Sequence, residues 1–94
     1  MAKYVCTPQD MVANAANNYC EHEERILYYP RATLEANKES FERMSERHGY
    51  VYRAVEDCSK DFVTRALNFY ERNTDWSAFK RKDWQAAVDW NNAR

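Results

Sequence analysis

Apolar residues recur along most of this chain at spacings of three and four, the repeat of an amphipathic α-helix. "TPQD" at Thr7–Asp10 supplies a helix start: Thr7 as N-cap, Pro8 in the first turn, and Asp10 where a capping box places its acid. The periodicity predicts a first helix to about Tyr28, ending before Pro30. Met11, Val12, Ala15, Ala16, Tyr19, Cys20, Ile26 and Leu27 fill one arc, and Asn14, Asn17, Asn18, Glu21, Glu24 and Arg25 fill the other. Glu23 falls inside the apolar arc. A second helix is predicted from Arg31–Thr33 to His48, with a thin apolar side of Leu34, Phe41 and Met44. Arg47 and His48 before Gly49 mark its end, with cations on the last turn and a glycine for the left-handed cap. A third helix is predicted to about Asn73, on Val51, Val55, Cys58, Phe62, Ala66 and Phe69, with Tyr52 and Tyr70 beside them. Helices two and three share a phase across Gly49, so one long kinked helix is the alternative to a hairpin there.

The last stretch, "DWSAFKRKDWQAAVDW" at Asp75–Trp90, carries all three tryptophans and a Lys-Arg-Lys turn. On one helix, Trp76, Phe79, Ala86, Ala87 and Trp90 share a face, and Asp83 falls within it; a break near Lys82 with Asp83 as N-cap relieves that cost. Trp84 lies off that face, beside the basic turn, and is the tryptophan predicted to be an exposed anchor.

One Gly and two Pro in 94 residues leave too few turn formers for a β-rich fold. The expected fold is therefore all-α: one domain over residues 1–94, a small antiparallel bundle of three to four helices with residues 1–6 as an extended arm. Few aliphatic residues and 15% aromatics make the core poor for so short a chain, which predicts a homodimer that shares it. Three widely spaced cysteines with no CxxC predict free thiols and a cytoplasmic setting. No run is long enough to span a membrane.

The chemistry is sparse. Cys20 and His22 sit on opposite sides of a helix and cannot share an ion, so neither a metal nor a cofactor is expected. Glu23 has no visible catalytic partner, and neither a P-loop, GxGxxG, HExxH nor GxSxG occurs; no enzyme is expected. The remaining bias is toward contact residues, with three Trp and seven Tyr in the chain. Tyr28, Tyr29 and Arg31 form an exposed corner around Pro30, and Trp76, Arg81, Trp84 and Trp90 complete the predicted protein-binding set. A nucleic-acid or nucleotide site on Lys80, Arg81, Lys82 and Trp84 is the alternative, disfavoured by a net charge of −1 and by cations that fan out around the helix. In size, composition and absence of catalytic motifs, the chain resembles the short inhibitor proteins that bacteriophages encode. That resemblance implies an anti-defence or host-takeover inhibitor, anti-CRISPR-like in manner, that occupies the surface of a host complex.

Overall fold

Thr7 opens the first helix as its neighbours dictate. Its hydroxyl accepts the Asp10 N–H at 3.1 Å, and the Asp10 carboxylate accepts the Thr7 N–H at 3.0 Å. The computed structural model describes residues 7–19, 25–73 and 78–94. Cys6, Cys20, His22, Glu23, Trp76 and the expected arm at 1–6 lie outside them.

The helix so capped, α1 (Pro8–Asn18), stops at Asn18 rather than near Tyr28. Ile26–Tyr29 is a strand, β1, followed by α2 (Arg31–Ala36) and α3 (Lys38–His48). Gly49 takes φ 71°, and its N–H closes α3 on the Ser45 carbonyl at 2.8 Å. It then leads neither into a kinked helix nor into a helical hairpin but into a second strand, β2 (Val51–Ala54). A 3-10 turn (Val55–Asp57), α4 (Lys60–Asn73) and α5 (Ala78–Asn92) complete the order.

The two strands pair in parallel, with Ile26 opposite Val51 and Tyr29 opposite Ala54. This overturns the expected all-α antiparallel bundle: among the described residues, five α-helices accompany a two-stranded parallel sheet. The physical reason is local. "ILYY" and "VYRA" are rich in β-branched and aromatic residues, which suit a pleated, half-buried surface. Scarce Gly and Pro argue against hairpins, but a parallel pair is joined by a helical crossover and needs no tight turn. Here α2 and α3 are that crossover. The expected break near Lys82 is also absent, because α5 runs unbroken through Asp83.

The core lies on one side of the sheet. Met11, Val12, Ala15 and Ala16 of α1 meet Val63, Ala66 and Leu67 of α4 and Ala87 of α5, all nearly inaccessible. Alanines on both sides let the helix backbones approach closely, which is how an aliphatic-poor chain builds a dense centre. Tyr19 is set between Phe62 and Phe69, with ring centroids 5.7 and 5.5 Å away. Ile26 and Tyr28 turn the covered face of β1 onto this core.

The outer edge of β1 is closed by a side chain. Asn17 Nδ2 donates to the Tyr28 carbonyl at 2.9 Å, and the Tyr28 N–H donates to Asn17 Oδ1 at 2.7 Å. One carboxamide thus takes the place of a neighbouring strand and ties α1 to the sheet. Asn17→Ala strands both backbone groups beside a buried ring. It should lower stability by about 2 kcal/mol, read as a fall in the urea midpoint at unchanged slope; a loss below about 0.5 kcal/mol would show that water replaces the carboxamide at no cost.

Candidate interaction surface

On the far side of the sheet, α2 and α3 contribute no buried residue. Their apolar side chains nevertheless gather. Phe41 lies 4.9 Å from the rings of both Tyr29 and Tyr52, and those two are 5.9 Å apart, all tilted by 50–58°. Tyr50 extends the row at 6.5 Å from Tyr52, and His48 follows at 6.4 Å from Tyr50. Such tilted pairs add on the order of 0.5–1.5 kcal/mol each beyond the area they cover. The rings stay half-covered, since only the short α2 and the polar α3 lie over them. Between α3 and β2 runs a groove of about 350 Å³ lined by Leu34, Phe41, Val51 and Tyr52, with Lys38 and Glu42 at its sides. A larger hollow of about 600 Å³ draws its described lining from α3, at Ser40, Arg43, Met44, Glu46 and Arg47. Among the described residues it presents the side of one polar helix, whereas the groove joins side chains of α2, α3 and β2.

β2 overhangs the core. Its register puts Val51 and Arg53 on the same face as Ile26 and Tyr28, but α1 reaches under β1 alone; Val51 is 53% exposed and Met44 of α3 37%. The half-burial of Tyr52 pushes its phenol pKa up, and the neighbouring phenols of Tyr29 and Tyr50 push the same way.

The sequence-predicted contact residues are not one patch. Tyr28, expected at an exposed corner, is buried at 4% exposure because its strand turns it into the core, where its ring meets Phe62 at 5.6 Å. Tyr29 belongs to the aromatic row. Arg31 is exposed but bound into the fold, through an ion pair with Asp57 and its N–H on Glu56 Oε1 at 3.0 Å. Trp90 is half-buried, with the Arg94 guanidinium 4.7 Å over its ring, and Arg94 in turn donates to the Glu56 and Cys58 carbonyls. The 3-10 turn therefore brings Arg31 and Trp90 to one corner, where both serve packing. Arg81 and Lys82 are exposed on α5; Lys80 also lies there, with its side chain outside the described part.

Trp84, expected to stand free, packs against the core and donates from Nε1 to the Leu67 carbonyl at 3.0 Å. A helix-wheel face misplaces it because the α4–α5 contact is wider than the strongest apolar stripe. The residues that sequence reasoning passed over are Phe41 as a ring partner, Tyr50, and Val51 and Tyr52 as strand residues. For Tyr50, Val51 and Tyr52 the signal is the β-branched and aromatic run "YVYRAV", which suits a short strand as well as a helix.

No group of three or more His, Cys, Asp and Glu that would hold a metal ion occurs among the described residues. Cys58 is a buried free thiol whose pKa burial pushes up, against the nearby charges of Arg53 and Arg94. No helix among the described residues is long and apolar enough to cross a membrane. No protein-family model, curated protein or solved structure matches the chain.

Trp84 gives the sharpest local test. Trp84→Phe, which loses the indole N–H but keeps most of the ring, should cost about 1 kcal/mol, and Trp84→Ala about 3 kcal/mol, in urea unfolding. Equal stability of all three proteins would return Trp84 to the role of a free surface anchor.

Proposed function

We propose that the chain is a non-catalytic protein-interaction module, a small inhibitor or adaptor that works by occupying the surface of a macromolecular complex. One observation carries the reading. The lobe made by α2, α3 and β2 holds the two exposed large hydrophobic residues of the described chain, Val51 and Met44, beside the half-exposed Phe41–Tyr29–Tyr52 rings. Contiguous apolar and aromatic surface of this kind marks a binding site more often than a decoration. Within this proposal, the site moves from the predicted contact set to the aromatic row, and Tyr29 is the one residue common to both. The resemblance to bacteriophage inhibitors fits a cytoplasmic target whose activity is blocked by occupancy. A homodimer that covers the same lobe is the second way to remove it from water.

Val51→Glu and Met44→Glu place charge on exposed positions and should leave the melting temperature nearly unchanged. Affinity capture from a bacterial lysate should then lose its protein partner by at least about tenfold, whereas Arg81→Gln with Lys82→Gln should leave capture intact. The opposite pattern, with captured material sensitive to nuclease, would put the nucleic-acid reading in its place. A dimer mass by light scattering that reverts to monomer in Val51→Glu would identify the occupant as a second copy.

A further inference from the structure

The two edges of the small sheet are treated differently. β1's outer edge is closed by the Asn17 carboxamide. β2's is not. The Val51 N–H donates inward to the Arg25 carbonyl at 2.7 Å, so the alternation of a parallel ladder points the backbone groups of Tyr50, Tyr52 and Ala54 outward. The Tyr50 carbonyl accepts the Ser45 hydroxyl at 2.7 Å, and the Ala54 carbonyl has a long contact of 3.9 Å with the Cys58 thiol. The Tyr52 N–H and carbonyl, at the centre of the edge, meet no partner among the described residues. An open pair of this kind is a template for one more strand.

We propose that β2's outer edge takes an extended segment of a protein partner as a third strand, and that this segment alternates apolar and acidic side chains. The inference rests on the reading of this lobe as an interaction surface and adds the form of what binds there. The backbone recognition follows from Tyr52. Side-chain recognition follows from the two faces of the added strand. Every second residue falls on the face of Tyr52, toward Leu34 and Phe41 of the groove, which suits an apolar side chain; Val51 borders the same groove from the strand's other face. The residues between them fall on the face of Val51 and Arg53. Arg53 is exposed and makes no ion pair among the described residues, so an acidic side chain across from it gains a charge partner. The same cation disfavours a second copy as the occupant. A twofold antiparallel pairing of β2 with itself keeps faces matched and sets both Arg53 guanidinium groups on one side of a four-residue strand pair.

The test pans a phage-displayed library of random decapeptides against the full chain. The expected result is enrichment of peptides that alternate acidic and apolar residues. Bound to the best of them, made synthetically, the chain should show hydrogen exchange at the Tyr52 amide slowed by at least about tenfold. Arg53→Glu should weaken binding by about tenfold or more, and Arg53→Lys should restore most of it. A semisynthetic chain N-methylated at Tyr52 keeps the side chain and the ladder to β1, and should not bind. No enrichment, enrichment without alternation, or binding that leaves Tyr52 exchange unchanged overturns the proposal. If Val51→Glu abolishes lysate capture while the N-methylated chain captures normally, the lobe remains an interface and strand addition is wrong. If neither change affects capture, the interface reading fails with it.

Discussion

Parallel pairing of Ile26–Tyr29 with Val51–Ala54 decides where the rest of the chain goes. Two parallel strands cannot be joined by a tight turn, so the segment between them must leave the sheet, cross over and return. α2 and α3 make that journey on one face, and α1, α4 and α5 are left to build the core on the other. A two-stranded sheet is marginal alone in water. Here it survives because Ile26 and Tyr28 are buried, against α1 and, through the Tyr28 and Phe62 rings, α4, and because Asn17 supplies, from α1, the hydrogen bonds a third strand would have made.

This arrangement spends the chain's few aliphatic residues on one side. Val12, Val63 and Leu67 are inaccessible, and small alanines bring their helices together. Aromatic rings close the margins: Tyr19 with Phe62 and Phe69, and Trp84 over the α4–α5 seam through the Leu67 carbonyl. What remains for the crossover side is a row of half-covered rings under two polar helices. The surface proposed to bind is therefore a by-product of topology: the crossover must cover the second face of the sheet, and α2 and α3 are too short and too polar to cover it fully.

Signals that depend on a few neighbouring residues were legible in the sequence. The Thr7–Asp10 capping box and the left-handed Gly49 after a cationic last turn form where expected, because each is satisfied within one turn of chain. The predicted face of α1 also corresponds to core; that of α4 does so only in part, because Val63 and Leu67, which it omitted, are the inaccessible residues beside Ala66. The strands were hidden because a run as short as "ILYY" fits a wide helical arc as well as a strand, and the choice is made by a partner on the far side of a crossover. Tyr28 follows from that error: placed on a helix it points to water, and placed on β1 it points into the core. The predicted contact set failed to converge for a related reason. Tryptophans and arginines were read as anchors by type, while Trp84, Trp90, Arg31 and Arg94 are engaged by carbonyls, rings and carboxylates that only the assembled fold supplies.

The central claim is that Val51–Ala54 form an edge strand whose outward-facing Tyr52 backbone groups are unbonded. Amide hydrogen exchange of the free protein, resolved residue by residue, tests it most directly. A strand paired to β1 alone protects Val51 and Arg53, whose N–H groups point inward, and leaves Tyr52 between them exchanging at least about tenfold faster. Uniform protection from Val51 through Val55 would contradict the account, since that is the pattern of a continuous helix or of an edge that is already filled.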